Sequence, residues 1–359
     1  MKILYCASTL SHINNFHLDY INALRESGCE VMVLARGEGA DFNIPFEKRI
    51  FSPKNLACIR KIRKILDEYS FDVLILNTSL AAFCVRAAVR AGARPKIINT
   101  VHGYLFSRNT GILKSLFLFL CERAQRKKTD AIITMNAEDY RTATRFRLAR
   151  GRVYRTRGMG GKLRAQISNP DNLRAEYASE SSFIMTFVGE LSRRKNQEFL
   201  IRALPSITEE LPGVVLWLVG DGEERDRLAN LARELDVAEF VVFLGERRDA
   251  CDFIRASDLY VTSASVEGMP ANLIEALGAG KTILASRIKG HEDLIVDNID
   301  GFLYDFGNMD EFVNKTCQIY DKNLEIDKRN IEEKYRIYEK ERVLPETLSV
   351  LRESIESCF

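Results

Sequence analysis

Short apolar runs rich in β-branched residues alternate with amphipathic stretches along this chain of 359 residues. The runs lie at residues 2–7, 30–35, 72–77, 96–101, 130–135, 182–189, 214–220, 240–245, 258–263 and 281–286. Apolar runs of this length are typical of parallel strands that are buried on both faces of a sheet. Helices between such strands require right-handed crossovers, so the pattern predicts doubly wound α/β sheets.

The alternation lapses around residues 158–180, where glycines, polar residues and an Asn-Pro pair are typical of a connector. We therefore predict a Rossmann-like domain at 1–160, a linker at 161–181 and a second Rossmann-like domain at 182–322. The charged helical segment 323–359 could return to the first domain. Ligands of open α/β sheets bind beyond the carboxyl ends of the strands, so two such domains facing each other would form a nucleotide-binding cleft.

The eight cysteines are scattered without a C-x-x-C pair, and no cluster of His and Cys is evident along the chain. This pattern predicts neither a zinc site nor a disulfide framework, and it favours reduced thiols in a cytoplasm. The first residues enter a strand directly, without the charged and then apolar pattern of a signal peptide. No apolar run approaches the ~20 residues of a membrane span, so we expect a soluble, intracellular protein.

The net charge of +2 conceals two opposed halves. Residues 1–164 carry 29 Lys and Arg against 13 Asp and Glu, whereas residues 165–359 carry 23 against 37. The basic half should attract an anionic partner such as a membrane face, a lipid phosphate or a nucleic acid, unless its charges only solvate exposed helices. Nucleic acid is disfavoured because the basic residues are not interleaved with aromatic ones and no RNA-binding motif is present.

The segment SASVEGMPANLIEALGAGKTILAS, residues 263–286, contains two patterns associated with phosphate chemistry. Gly278–Thr282 ends like a P-loop, but a P-loop follows a strand and precedes a helix, and the order here is reversed. We interpret these glycines as the end of a helix that leads into a buried strand.

Glu267 and Glu275 are the second pattern, eight positions apart. A predicted strand ends in the loop before Pro270, which is suited to the first helical position because no N–H is needed there. The amides of Met269–Leu273 would then bind a diphosphate. Glu267 could reach a sugar beyond it, and Glu275 could accept hydrogen bonds from both hydroxyls of a ribose. A capping glutamate and a surface glutamate are the alternative interpretation.

Taken together, S-x-x-E-G-M-P-x-x-L-I-E-A-L-x-x-G-K resembles the signature of retaining glycosyltransferases of family 4, which have the GT-B fold. Other segments follow in the order of that family: FVGELSRRKNQEFLIRAL (187–204), VVLWLVGDGEERDRL (214–228), FVVFLG (240–245) and NIDGFLYD (298–305). SHINNFHLDYINAL (11–24) and TVHGY (100–104) are similar to the EpsD-like branch of exopolysaccharide and capsule biosynthesis.

The resemblance implies how the diphosphate is held. In the family, a basic pair after the first strand of the second domain binds it, and Lys195 matches the lysine of that pair. Glu190 stands at the arginine position after Gly189, which departs from the family pattern. Arg193 or Arg194 could supply the missing charge, and Arg193 is preferred. Cations are needed because the leaving nucleotide gains negative charge as the glycosidic bond breaks.

The resemblance also places His102 beside the reacting sugar, where its ring or the neighbouring carbonyl could stabilise positive charge. The loop after the first strand often contains a Gly-Gly pair in the family, whereas here it contains SHINN. Ser11, His12 and Asn15 are therefore candidates for binding the acceptor or a phosphate. Arg247 lies in the loop where the family recognises the nucleobase.

These expectations give two sets of candidate residues. The catalytic candidates are His102, Glu267, Lys195 and Arg193. The donor-binding candidates are Gly189, Lys195, Gly268, Met269, Pro270, Ala271, Asn272, Leu273, Glu275 and Arg247. No D-x-D triplet occurs in the chain, so the resemblance implies a metal-independent transfer without a cofactor, with retained anomeric configuration.

The expected enzyme is a hexosyltransferase that uses a nucleotide-sugar, with a UDP-linked hexose or N-acetylhexosamine favoured. Its expected acceptor is a glycan on a polyprenyl diphosphate at the inner face of the cell membrane. The stretch 112–128 combines apolar residues with Lys114, Arg123, Arg126, Lys127 and Lys128, which is typical of an interfacial helix. A core helix with a basic end is the alternative there. Another GT-B enzyme, an epimerase or a glycogen-type synthase, and a basic nucleic-acid-binding module are the alternative functions.

Overall fold

The structure is a computed structural model that describes residues 1–47, 52–90, 95–106, 111–149, 151–179 and 181–356. The chain divides into two compact units. The first unit comprises Met1–Met159 and Glu341–Phe359, and the second comprises Gly160–Lys340.

The first unit contains a parallel sheet of seven strands in the order β3-β2-β1-β4-β5-β6-β7. Its strands are β1 Lys2–Thr9, β2 Glu30–Arg36, β3 Phe42–Asn43, β4 Val73–Leu76, β5 Lys96–Val101, β6 Ala131–Thr134 and β7 Arg152–Arg155. Its helices are α1 Leu10–Phe16, α2 Leu18–Glu26, α3 Pro53–Glu68, α4 Ser79–Ala88, α5 Ile112–Ala124, α6 Ala137–Thr144 and, numbered last along the chain, α15 Lys340–Glu356.

The second unit contains a parallel sheet of six strands in the order β10-β9-β8-β11-β12-β13. Its strands are β8 Phe183–Val188, β9 Val214–Val219, β10 Val241–Gly245, β11 Leu259–Thr262, β12 Thr282–Ser286 and β13 Phe302–Tyr304. Its helices are α7 Pro170–Tyr177, α8 Gln197–Glu210, α9 Arg225–Glu234, α10 Ala250–Ala256, α11 Ala271–Gly278, α12 His291–Leu294, α13 Met309–Tyr320 and α14 Lys328–Tyr338. All ten predicted strands are present, and the prediction of two doubly wound sheets is confirmed.

The apolar runs form strands because both faces of each sheet are covered. In β1, Leu4 and Cys6 lie in one core cluster, with residues of α3 and α4. The intervening Ile3 and Tyr5 lie in a second cluster, with residues of α1, α2 and α15. Alternate side chains of one strand thus enter different cores, so its central residues 3–7 include no charged side chain.

The stretch interpreted as a linker belongs to the second unit. Its helix α7 is capped by the Asn169 side chain, which accepts from the Asp171 amide. Leu173 is buried in a cluster with Ile184 and Trp217 of the sheet. The second unit also continues through α13 and α14, and the chain enters the first unit again only at Glu341, rather than at residue 323.

Candidate active site

Glu267 lies in the loop between β11 and α11, and its carboxylate is buried between two basic side chains. Its Oε1 lies 2.7 Å from Lys195 Nζ and 2.7 Å from Arg194 Nη1. Burial opposes the charge of Glu267 and raises its pKa, but the Lys195 ammonium and the Arg194 guanidinium outweigh burial and hold the pKa at about 2. Glu267 is therefore a carboxylate at neutral pH that orients both cations.

The loop after β8 is joined to the loop after β11 by a set of hydrogen bonds. Ser265 N donates to Arg194 O over 2.9 Å, and Ser263 Oγ donates to Asn196 O over 2.7 Å. Asn196 precedes α8 in the left-handed conformation, with φ of 57°, and its Nδ2 donates to Ser263 O. Because β8 and β11 are neighbours in the sheet, their carboxyl ends hold the two loops, and the cation–carboxylate cluster, together.

The turn after β9 packs closely against the loop after β8. A Cβ at Gly220 would overlap the Gly189 carbonyl, and a Cβ at Gly222 would overlap the Leu191 carbonyl. Only glycine leaves enough room at these two positions of the Gly-Asp-Gly turn. The turn therefore supports the backbone that carries Lys195.

Arg194, and not the preferred Arg193, shares the Glu267 carboxylate with Lys195. The Arg193 side chain is 81% exposed, and its Nε lies 3.2 Å from Glu224 Oε1, before α9. The Arg194 side chain instead points toward the loop after β11, where its Nη1 donates to the Glu267 carboxylate and to the Val266 carbonyl. Successive residues of this turn project in different directions, so the two arginines have different partners.

Helix α11 begins beside the end of β8. Pro270 is the N-cap residue, one position before the first helical residue Ala271, and not the first helical residue that the sequence predicts. The Asn272 amide donates to the carbonyl of Val188, the last residue of β8. A Cβ at Gly189 would lie 3.7 Å from Asn272 Nδ2.

The carbonyl of Gly268, in the loop before α11, faces Gly290, which has φ of 83° and no room for a Cβ. The start of α11 lies next to Gly189 and the loop that carries Lys195. It is formed by the donor-binding candidates Gly268, Met269, Pro270, Ala271, Asn272 and Leu273. The segment Gly278–Thr282 ends this helix and begins β12, as predicted, so it is not a P-loop.

Glu275 lies one turn into α11 and is half-buried. Burial raises the pKa of Glu275, while the Arg164 charge and a hydrogen bond from the Cys251 thiol lower it. Burial is the main cause that raises the pKa of the Tyr260 hydroxyl, and the charges of Glu275 and Glu267 raise this pKa further. Both glutamates of the motif thus lie near enough to Tyr260 of β11 for their charges to affect it.

Arg247 is held by its own neighbours in the loop after β10. Its Nε and Nη2 donate to the Asp249 carboxylate over 2.9 and 2.8 Å, and its guanidinium lies 5.0 Å from the centre of the Phe253 ring. Asp249 also accepts from Ser168 Oγ over 2.7 Å. The two hydrogen bonds to Asp249 and the contact with the Phe253 ring fix the orientation of the Arg247 guanidinium. The role of Arg247 in recognising a nucleobase stays a prediction.

Three histidines meet in the first unit, contrary to the expectation that the chain has no histidine cluster. His12 lies on α1, His17 separates α1 from α2, and His102 follows β5. The ring centroids are 4.9 Å apart for His12 and His102, 4.9 Å for His17 and His102, and 5.0 Å for His12 and His17. His102 is distant in sequence from His12 and His17, and it reaches them because β1 and β5 are parallel and end at the same edge of the sheet.

Burial decides the charge of this cluster. It lowers the pKa of His12 to about 4 and the pKa of His102 well below its ordinary value, and His17 and His12 lower that of His102 further. Both rings are therefore neutral at pH 7. Ser11 and Asn15 are exposed on the same helix, where Ser11 Oγ donates to Thr9 Oγ1, and their proposed contact with acceptor or phosphate stays a prediction.

The chain is similar in sequence to known glycosyltransferases. The model of the family "Glycosyltransferase Family 4" matches residues 13–155, and that of "Glycosyl transferases group 1" matches residues 169–337. EpsD of Bacillus subtilis (strain 168), which is named as a glycosyltransferase, is 31% identical over 334 residues, or 89% of this chain and 88% of EpsD. The UDP-Gal:alpha-D-GlcNAc-diphosphoundecaprenol alpha-1,3-galactosyltransferase of Escherichia coli is 28% identical, over 78% of this chain and 75% of that enzyme.

A solved structure shows the same fold. Anabaena HepE, crystallised in complex with UDP and glucose, aligns over 98% of this chain and 100% of its own, with a TM-score of 0.74 and 20% identity. The fold of this chain is GT-B, as the resemblance implied.

Proposed function

The chain belongs to the family 4 glycosyltransferases, and on this premise we propose that it transfers a hexose or an N-acetylhexosamine from a UDP-sugar to a glycan on a polyprenyl diphosphate. The observation that carries the proposal is the buried Glu267 carboxylate that holds Lys195 and Arg194 beside the start of α11. Support for the donor comes from HepE, which binds UDP and glucose, and support for the acceptor comes from the E. coli relative, which acts on a diphosphoundecaprenol-linked sugar.

Charge is the basis of the donor site. Lys195, Arg194 and the ionised Glu267 together carry a net charge of +1, and the first turn of α11 adds the partial positive charge of its amides. A nucleoside diphosphate becomes more negative as it leaves, so this surrounding favours the transition state over the bound donor. We propose that these groups stabilise the diphosphate without a metal ion.

The proposed transfer retains the anomeric configuration by reaction on one face of the sugar. The bond between the anomeric carbon and the phosphate oxygen breaks, and the acceptor hydroxyl attacks from the same side. The proton of that hydroxyl passes to the departing phosphate oxygen, so the products are the glycosylated acceptor and UDP. Glu275 is proposed to hold the ribose hydroxyls of the donor.

A thermal-shift screen of UDP, GDP and ADP without added metal tests the donor site. At 100 times its dissociation constant a nucleotide stabilises the native state by about 2.7 kcal/mol, which should raise the melting temperature by roughly 5–10 °C. We expect this shift with UDP and its sugars only. Glu275→Ala should abolish it because the ribose loses its carboxylate partner.

The matched control is Glu209→Ala, which removes an exposed glutamate from α8 of the same unit and should keep the full shift. A shift with GDP or ADP but not with UDP would contradict the proposed donor. A shift that survives Glu275→Ala would contradict the role of this residue, and a wild-type protein without any shift would contradict the donor site itself.

Helix α5 supports the membrane side of the proposal. Five large apolar side chains are more than half exposed on it, with Ile112 and Leu113 reaching 85%: Ile112, Leu113, Leu116, Phe117 and Leu120. The opposite face packs on the unit, where the Glu122 carboxylate accepts two 3.0 Å hydrogen bonds from the buried Arg86 guanidinium. An apolar surface beside exposed basic residues is what an interfacial helix requires.

The basic residues near α5 have different roles. Lys114, Arg123 and Lys127 are exposed, whereas Lys128 Nζ donates to the Arg86 and Val89 carbonyls and thereby fixes the chain to the end of α4. Among the residues that the structure describes, no helix is both long and apolar enough to traverse a bilayer. We therefore propose reversible docking through α5 to an anionic lipid surface at the inner face of the membrane.

Vesicle co-sedimentation tests this docking. Replacing Leu113 and Phe117 together by serine should weaken binding to phosphatidylglycerol-containing vesicles roughly a hundredfold, since burial of the two side chains contributes about 3 kcal/mol. Raising the salt concentration should also weaken binding, because the exposed charges are screened.

The control variant Ile167→Ser removes an apolar side chain that is 69% exposed in the second unit, and it should bind vesicles like wild type. Equal loss in both variants would show that α5 is not the docking element. Binding to oligonucleotides instead of vesicles would favour the alternative of a nucleic-acid-binding module.

A further inference from the structure

The histidine cluster of the first unit brings three potential metal ligands close together. One ring nitrogen from each of His12, His17 and His102 can be chosen so that the three atoms lie within 4.8 Å of one another. The Nε2 atoms of His12 and His17 are 3.2 Å apart. Nitrogen ligands about 2.0–2.1 Å from a tetrahedral zinc ion are separated by about 3.3 Å, so this pair is already spaced for a shared ion.

The ring of His17 is oriented by a second group. Its Nδ1 lies 2.8 Å from the hydroxyl of Tyr5, a buried residue of β1. This contact leaves Nε2 directed toward His12. Histidines that bind metals commonly use the other ring nitrogen for a hydrogen bond that fixes the tautomer, and Tyr5 is placed to provide it.

His102 provides an independent observation. Its Nε2 is enclosed by protein and has no hydrogen-bond partner among the described residues. A buried polar atom without a partner is costly, so a ligand that satisfies this nitrogen would be stabilising. The His102 ring centroid lies 4.9 Å from those of His12 and His17, so a ligand of the cluster could be shared among the three rings.

We propose that His12, His17 and His102 bind a divalent transition-metal ion of the zinc class through three imidazole nitrogens. Three histidines with an open fourth position are a common zinc arrangement. Imidazole selects zinc, copper or nickel over magnesium and calcium, which prefer carboxylate and carbonyl oxygens. All three ligands lie in the first unit, and two of them, His102 and His12, are also the catalytic and acceptor-loop candidates named above. Zinc binding is therefore measured in the absence of donor and acceptor.

The chain contains only four histidines, so an NMR titration can observe each of them. The fourth, His291, is buried in the second unit, where its Nδ1 lies 2.8 Å from the Ser286 carbonyl, and it serves as the internal control. One equivalent of ZnCl2 added to untagged, ¹⁵N-histidine-labelled protein should shift the ring signals of His12, His17 and His102 and leave those of His291 unchanged. Zinc bound elsewhere, or no binding at one equivalent, would overturn the proposal.

Two variants and a spectroscopic probe separate imidazole ligation from binding to thiols. His12→Gln should lower zinc affinity at least tenfold, and Tyr5→Phe, which keeps the ring but removes the oriented hydroxyl, should lower it about 10–100-fold. CoCl2 should give visible d–d absorption without a thiolate charge-transfer band. Unchanged affinity in both folded variants, or a thiolate band, would show that the cluster is not the metal site.

Discussion

Lys195→Ala is expected to lower kcat by about a hundred- to a thousandfold. The Lys195 side chain is only 12% exposed, and in the proposed donor site its ammonium would face the leaving diphosphate as that group gains charge. Loss of one preorganised donor to a developing anion typically raises the barrier by about 2.7–4 kcal/mol. KM should change less than kcat, because the missing interaction strengthens in the transition state. The measurement is steady-state release of UDP from the UDP-sugar that the thermal-shift screen identifies.

The neighbouring arginines make this prediction specific. Arg194→Ala should also lower kcat, since Arg194 shares the Glu267 carboxylate with Lys195. Arg193→Ala should lower it much less, because Arg193 is paired with Glu224. Arg202→Ala, which removes a surface cation paired with Glu198 on α8, is the control and should leave kcat within about threefold of wild type. Near-normal kcat in Lys195→Ala would contradict the proposed donor site.

The strands could be predicted from sequence because burial on both faces leaves a continuous apolar signal. Three short strands carry too little signal to be predicted. Strand β3 has two residues and β13 has three, and none of the four residues of β7 is buried. Helix α7 was also missed, since Asn169-Pro170 suggests a connector when considered alone. The same pair is a favourable helix start, with a capping asparagine and a proline in the first turn, and tertiary packing of Leu173 decides between the two.

The candidate site was only partly predictable. Glu267, Glu275 and Lys195 lie in local sequence motifs, so these positions could be identified as site candidates from the sequence alone. The choice between Arg193 and Arg194 depends on a turn whose direction is set by the Ser265 amide, which lies about 70 residues away in sequence. No local pattern contains that information.

The histidine cluster was missed for a related reason. Sequence rules for zinc sites rely on short spacings between ligands, whereas His17 and His102 are separated by 85 positions. Their proximity follows from strand order, since β1 and β5 flank β4 in the sheet. The signal in the sequence is that these histidines follow the carboxyl ends of predicted parallel strands, because such ends meet at one edge of a sheet.

Glu267→Gln is expected to destabilise the second unit in a pH-dependent manner. The folded pKa of Glu267, about 2, lies below its ordinary value of 4.5, so the carboxylate stabilises the fold above pH 4.5 and this contribution is lost as pH falls toward 2. A difference of this size corresponds to roughly 3 kcal/mol. The glutamine variant should therefore be less stable than wild type by about that amount at pH 7, and the gap should narrow between pH 4.5 and pH 2.

The chain offers a direct readout, because its single tryptophan, Trp217, is fully buried in β9 of the second unit. Urea unfolding followed by Trp217 fluorescence at several pH values gives the free energy of unfolding of the unit that contains Glu267. Glu209→Gln, at an exposed position of α8, should show little difference from wild type at any pH. A gap between Glu267→Gln and wild type that stays constant from pH 7 to pH 2.5 would mean that Glu267 acts through its shape rather than its charge. The orientation of Lys195 and Arg194 would then need another source than this carboxylate.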